Sequence, residues 1–199
     1  MKALIIQGSP RKKGHTEKLA ECFSEKLESL GWETGSIWLG DCSIEPCIGC
    51  KHCQSIPSEF GCIKKDDTEA IYNKINEADL LVLATPIYSW YCTGSMKNLL
   101  DRHYMTTKYY GSAAANGKYC LVKDLSVVLL TTHGYPDQRA NEPLEMGIKN
   151  LCKHCGWNYA GRLSARDTGI EEEFTEDKYN AKAEALAEEV TKLFHVKHQ

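Results

Sequence analysis

Met1-Lys2-Ala3-Leu4-Ile5-Ile6-Gln7-Gly8-Ser9-Pro10-Arg11-Lys12-Lys13-Gly14-His15-Thr16 is the stretch that decides how the chain reads. Its apolar run, Ala3 to Ile6, breaks at Gly8-Ser9-Pro10, and an amphipathic pattern begins near Thr16. That order is a buried strand, a loop carrying Gly, Ser and basic residues, and a helix start. The first turn of a helix leaves backbone N–H groups without intrahelical partners and carries the positive end of the helix dipole. Ser9 and Thr16 add hydroxyls, and Arg11, Lys12 and Lys13 add charge, so the stretch reads as a phosphate cradle. Gly8 and Gly14 lie one residue too far apart for a P-loop, and His15-Thr16 stands where Lys-Ser/Thr would be needed. Gly8-Ser9-Pro10 also fails the dinucleotide fingerprint at its third position. On these residues alone, an ordinary strand-to-helix turn with exposed lysines is the competing reading.

Outward from this stretch, strand and helix patterns alternate. Leu19, Phe23, Leu27 and Leu30 recur at helical spacing up to Gly31, and Thr34 to Leu39 reads as a second strand. Ala70, Ile71 and Ile75 mark a second helix, capped near Asp66 or Asp67. Leu80 to Ala84 is a continuous apolar run typical of a strand buried on both faces. Thr85-Pro86-Ile87-Tyr88-Ser89 breaks that run, and Met96, Leu99, Leu100 and His103 continue at helical spacing. Residues 104–120 read as a loop or insertion. Val127 to Leu130 forms a fourth strand ending at Thr131-Thr132-His133-Gly134, and Leu144, Ile148, Leu151, Cys152 and Cys155 form a further helical stripe. Trp157 to Leu163 is a weaker fifth strand, and the stripe from Tyr179 to Phe194 closes the chain as an amphipathic helix. Five alternations predict a single α/β domain over 1–199, with a parallel sheet covered by helices on both faces. In such sheets ligands bind beyond the carboxyl ends of the strands. The loops Gly8–Thr16, Thr85–Ser89 and Thr131–Gly134 meet that edge, which predicts a ligand with a phosphate and a flat ring.

The totals narrow the partners. The 199 residues carry 24 basic and 27 acidic side chains, a net charge of −3, which argues against nucleic acid or an anionic membrane as the main partner. No apolar run reaches membrane-spanning length, and the apolar start is too short for a signal-peptide core, so a cytoplasmic location is expected. In that compartment ten cysteines suggest metal, cluster or redox chemistry more than a disulfide framework.

With these residues in view, the chain resembles the flavodoxin-like NAD(P)H-dependent FMN reductases, in particular their iron–sulfur flavoprotein branch. The likeness is carried by Gly8-Ser9-Pro10-Arg11 with Gly14-His15-Thr16, Pro46-Cys47-Ile48-Gly49-Cys50, Thr85-Pro86-Ile87-Tyr88, and Met96-Lys97 through Asp101-Arg102. It implies a three-layer sandwich around a five-stranded sheet in the order 2-1-3-4-5. Flavodoxin is itself a standard example of the switch-point rule, so placing FMN at that edge follows from the resemblance. The resemblance further implies that Ser9, Arg11, Gly14, His15 and Thr16 hold the FMN phosphate. Pro86, Ile87, Tyr88 and Ser89 would border the flavin ring, with Thr132, His133 and Gly134 on its other side. It also implies NAD(P)H as a transient co-substrate, and a homodimer or homotetramer in which the Tyr-rich insertion 104–120 is a candidate contact. The residues disfavour other chemistries of this fold. Ile6-Gln7-Gly8 lacks the acidic cluster of a phosphoacceptor domain, and no cysteine has the downstream Arg of a tyrosine phosphatase loop.

The loop 42–62 is set apart by its cysteines. Cys47, Cys50 and Cys53 follow at two-residue gaps, with Cys62 beyond them, a compact set suited to a 4Fe-4S cluster. Zinc, which favours two separated knuckles, and a disulfide pair or four unligated thiols are the alternatives. A second Cys-Lys-His-Cys, at 152–155, lies on an apolar helical stripe and reads as core, as do Cys22, Cys92 and Cys120 by default. The expected function is an FMN oxidoreductase passing electrons from NAD(P)H to a quinone, flavin, nitro compound or redox protein. The alternative is a flavodoxin-like carrier or redox sensor without nicotinamide activity.

Overall fold

The computed structural model describes residues 1–109, 119–122, 124–137, 139–168 and 176–197. Among them are strands β1 (Lys2–Gln7), β2 (Glu33–Trp38), β3 (Leu80–Pro86), β4 (Thr107–Lys108), β5 (Tyr119–Cys120), β6 (Ser126–His133) and β7 (Asn158–Arg166). The helices are α1 (His15–Ser29), α2 (Thr68–Asn76), α3 (Gly94–Asp101), α4 (Glu142–Cys155) and α5 (Glu176–Lys197). The main sheet runs β2-β1-β3-β6-β7, every pair parallel. Once the antiparallel side hairpin β4–β5 is set aside, this is the expected 2-1-3-4-5 order.

The central strand shows why. All of Leu80–Pro86 is buried, and its side chains alternate between two cores. Leu81 and Leu83 join Ile71 and Ile75 of α2, Met96 and Leu99 of α3, and Leu144 and Ile148 of α4. Leu80, Val82 and Ala84 join Leu19, Phe23 and Leu27 of α1, and Ala187, Val190 and Phe194 of α5. A strand apolar at every position therefore has to be covered on both faces. Gly31, at φ +88°, ends α1 in the left-handed conformation that glycine adopts without strain.

Three boundaries differ from the sequence expectation. Thr85 and Pro86 complete β3, and Thr131 to His133 complete β6, so residues read as loop are the last strand residues. β-Branched threonines suit a strand, and their hydroxyls bond sideways there: Thr131 Oγ1 donates to Ser164 Oγ at 2.9 Å. β7 also runs on to Arg166, past a bulge opposite Val127/Val128. At the ends of the region 104–120, β4 pairs with β5; residues 110–118 lie outside the described residues. Cys152 and Cys155 are buried in the core as expected, as is Cys92; Cys22 and Cys120 are half-buried.

Candidate functional site

The loop after β1 is pinned from several directions. Gly8 N–H donates to Ala84 O at 2.7 Å, and Thr93 Oγ1 donates to Gly8 O at 2.7 Å. A Cβ on Gly8 would come within 2.9 Å of Met96 Cε and 3.1 Å of Met96 Cβ, so glycine lets β1 end against α3. Ser9 turns its hydroxyl back on the loop, accepting from Arg11 N at 3.2 Å, and its carbonyl accepts from Trp38 Nε1 at 2.6 Å. Lys12 is drawn aside, 2.7 Å from Asp41 and 4.0 Å above the Trp38 ring, whereas Arg11 stays exposed. Lys13 takes a left-handed turn, φ 62°, and its N–H bonds the Glu17 carboxylate. Gly14 then caps α1, its carbonyl accepting from Glu17 N at 3.0 Å and Lys18 N at 3.1 Å.

Long-range contacts tie this loop to the far strands. Thr16 Oγ1 and Thr132 Oγ1 share a hydrogen bond of 2.7 Å, and Ile87 N–H donates to Thr132 O at 2.7 Å. Asp167, which follows β7, donates its N–H to His133 O at 2.8 Å. Its carboxylate accepts from His15 Nδ1 at 2.8 Å and lies 3.9 Å from Arg11 Nη2. Ser9, Gly14, His15, Thr16 and Thr132 are therefore brought together, with Arg11 at the rim.

The segments expected beside a ring are zipped to each other. Pro86 sits opposite Thr132 in the sheet register, and Ile87 is buried. Tyr88 and Tyr91 exchange backbone hydrogen bonds of 2.8 and 2.9 Å around Ser89 (φ 49°) and Trp90 (φ 61°). Two left-handed residues in succession make a tight turn of the I′ kind, which favours Asn and Gly. Holding two other residues there costs about 1–3 kcal/mol each and persists only where the surroundings fix it. Here Trp90 stacks on Tyr135, with ring centroids 4.7 Å apart and planes at 21°, linking the turn after β3 to the loop after β6. Tyr88 and Trp90 both remain about half exposed, at 48% and 53%. His133 is buried; its Nδ1 bonds Tyr135 O at 3.1 Å, and burial holds its pKa below the usual imidazole value. It closes β6, and Gly134 begins the loop beyond it.

Sequence reading missed Trp38, Thr93, Tyr135 and Asp167. Thr93 carried a signal, since a threonine before an amphipathic run is a helix cap, and its Oγ1 accepts from Met96 N at 3.4 Å. Asp167 carried none, because only the crossing of β7 beside β6 brings it to His15.

The cysteine-rich loop lies over α3 and the turn that follows it. Asn98 Nδ2 donates to Ile44 O at 3.1 Å, and Gln54 Nε2 donates to Tyr104 O at 2.7 Å and Thr107 O at 2.9 Å. Cys47, Cys50, Cys53 and Cys62 line one concave surface with Ile48 and Ile63, enclosing about 20 Å³. Cys47 and Cys50 are exposed, Cys53 buried and Cys62 half-buried. Arg102 Nη2 donates to Cys62 Sγ at 3.2 Å, and burial pushes the Cys53 thiol pKa up. Among the described residues no three His, Cys, Asp or Glu side chains stand in a metal-holding group. The four sulfurs share a wall rather than a coordination sphere. An all-sulfur donor set nevertheless suits a thiophilic centre, and two of its members sit on an exposed arm.

Residues 1–134 match the family model of the NADPH-dependent FMN reductases, and the chain belongs to that family. An iron–sulfur flavoprotein of Archaeoglobus fulgidus is 41% identical over 105 residues, 53% of this chain and 50% of that protein. Another, from Clostridioides difficile, is 26% identical over 193 residues, 96% of this chain and 76% of that protein. The chain spans 50%, 59% and 51% of the length of three archaeal iron–sulfur flavoproteins that it matches. Among solved structures, an FMN-dependent NADH-azoreductase from Bacillus anthracis in complex with FMN has a TM-score of 0.65 at 15% identity, covering 96% of this chain and 98% of that one. That likeness is one of fold.

Proposed function

We propose that this chain is an FMN-dependent oxidoreductase that takes electrons from NAD(P)H and passes them to a quinone, a flavin, a nitro compound or a redox protein. The observation that carries the reading is the joining of the phosphate loop to the ends of β3 and β6 through Thr16, Thr132 and Ile87. Family membership and the FMN-bound structural relative support it. Bound FMN would supply the redox chemistry, accepting hydride from a reduced nicotinamide and giving electrons to the acceptor. The chain's own work is binding and orientation. A phosphate monoester carries about 1.5–2 negative charges near neutral pH. Arg11 and the α1 N-terminus offset that charge, while Ser9, Gly14, His15 and Thr16 direct the phosphate. Asp167 orients His15 from behind. Pro86 to Ser89 and Thr132 to Gly134 form the two sides of the ring site, and the Trp90–Tyr135 stack closes the space between them.

The same reading assigns Cys47, Cys50, Cys53 and Cys62 to a 4Fe-4S cluster, supported by the relatives' names and the donor set. A cytoplasmic homodimer or homotetramer acting on small molecules or redox proteins, away from nucleic acid and membranes, completes it. Among the described residues no helix is long and apolar enough to cross a membrane. The test is NADPH oxidation by FMN-loaded protein with an added quinone. Turnover supports the oxidoreductase; FMN binding without turnover supports the carrier; failure to bind FMN overturns both. Iron and acid-labile sulfide in anaerobically purified protein test the cluster, and Cys50→Ser is expected to abolish its absorbance while FMN stays bound.

A further inference from the structure

Beside the thiol site stands a buried cation that, among the described residues, no carboxylate answers. Lys108, in β4, is 0% exposed. Its Nζ donates to three backbone carbonyls of the cysteine-rich segment: Cys53 O at 2.8 Å, Glu59 O at 2.6 Å and Phe60 O at 3.3 Å. Three carbonyl acceptors call for three N–H donors, which only the protonated ammonium provides. The carbonyl cage satisfies the hydrogen bonds and leaves the charge. Among the described residues Lys108 forms no ion pair with Asp or Glu; burial presses its pKa below the usual lysine value, and Cys53 is the ionisable group that opposes this. The other buried cation nearby, Arg102, differs in this respect: its guanidinium is matched by Asp66 at 2.7 and 3.1 Å, a pair neutral in itself.

A buried ammonium without a carboxylate partner among the described residues is costly, and the fold retains one against Cys53, one of the four cysteines of the site. Thiolates binding a divalent ion or an iron–sulfur core carry net negative charge, so an occupied thiol site supplies the missing anion. We propose that Lys108 is the built-in counter-charge of this site: it holds the Cys53 arm in place, offsets an anionic metal–thiolate centre and raises that centre's reduction potential. This rests on the reading that Cys47, Cys50, Cys53 and Cys62 bind metal. Positive charge near such a centre favours its reduced, more negative state. Lys108 acts through the Cys53 backbone and the local field, so it is a positioning residue.

The test compares wild type with Lys108→Met, which is neutral and of similar length, Lys108→Gln, which is neutral but keeps donors, and Lys108→Arg, which keeps the charge. Iron and sulfide assay of the wild type decides the cluster reading separately. With a cluster present, the readout is its midpoint potential in a one-electron titration. The neutral variants are expected to lose about tenfold in the reduction equilibrium, ~59 mV for one electron, with the flavin potential unmoved and Lys108→Arg close to wild type. Wild-type cluster potentials in both neutral variants overturn the proposal, even where iron content falls, because a purely structural lysine predicts that result. If the wild type holds no iron–sulfur centre, Co²⁺ titration followed by thiolate charge-transfer absorbance replaces the potential. About tenfold weaker Co²⁺ binding in the neutral variants supports the counter-charge, and equal binding overturns it. A wild type that takes up neither sinks the metal reading and the proposal together.

Discussion

Asp66→Asn perturbs the buried ion pair that ties the cysteine-rich loop to the segment after α3. The Asp66 and Arg102 side chains are 3% and 2% exposed, joined by bonds of 2.7 and 3.1 Å. The same carboxylate accepts from Glu45 N at 3.0 Å and Thr68 N at 3.1 Å. An asparagine keeps the volume but turns an NH₂ towards donors and leaves the guanidinium buried without its anion. Breaking a buried pair from one side costs about 3–5 kcal/mol, against a total stability of about 5–15 kcal/mol. At roughly 2–4 °C per kcal/mol for a chain of this size, the melting temperature should fall by about 6–20 °C. Equilibrium urea unfolding at matched ligand concentrations should show a lower midpoint with an unchanged slope. The pH dependence gives a second check. Burial pushes the Asp66 carboxyl up, but Arg102 and the Glu45 and Thr68 backbone amides outweigh it and hold the pKa far below the usual carboxylate range. A depressed folded-state pKa stabilises above the unfolded value, near pH ~4, and that contribution is lost as pH falls below it. Asp66→Asn should therefore flatten the acid side of the stability profile, and Asp66→Asn with Arg102→Met should recover part of the loss. A change within ~1 kcal/mol of wild type, or an unaltered acid slope, would refute this account.

Thr16→Val deletes the Thr16–Thr132 hydrogen bond and strands a buried hydroxyl, so flavin titration should show FMN affinity weakened by about 1–3 kcal/mol, roughly 5–150-fold. Trp90→Ala removes the stack on Tyr135, worth about 0.5–1.5 kcal/mol beyond its area. It should loosen the ring side of the site, raising the FMN dissociation constant by up to about tenfold while urea stability changes little. His103 and His133 both have pKa values lowered by burial, so the unfolded chain takes up their protons first. Stability should fall as pH drops through ~6.5, and His103→Gln should reduce that slope in urea unfolding measured from pH ~7.5 to ~5. Phe23→Ala, at the centre of the α1–α5 core, should cost about 3–5 kcal/mol by the same assay.

Much of this protein was legible along the chain because its determinants are local. The apolar run at Leu80–Ala84 requires cover on both faces, the 3.6-residue stripes supply it, and Gly8 to Thr16 marks a strand-to-helix turn. The spacing of Cys47, Cys50 and Cys53 likewise sits within one loop. The ends of β3 and β6 were misread because a threonine-rich terminus looks like a loop until a neighbouring strand takes up its hydroxyls. Asp167 behind His15, Tyr135 against Trp90, and Lys108 caged by carbonyls of the cysteine loop lie beyond any local pattern. Each is a pairing between distant segments: the first two are fixed by the order of strands in the sheet and by which residues reach its carboxyl edge, the third by the packing of the β4–β5 hairpin against the cysteine loop. Local chemistry thus determined the elements and the residues offered at the carboxyl edge of the sheet. The tertiary structure alone decided which charges face one another across it, because burial and charge pairing depend on distances that exist only once the chain has folded.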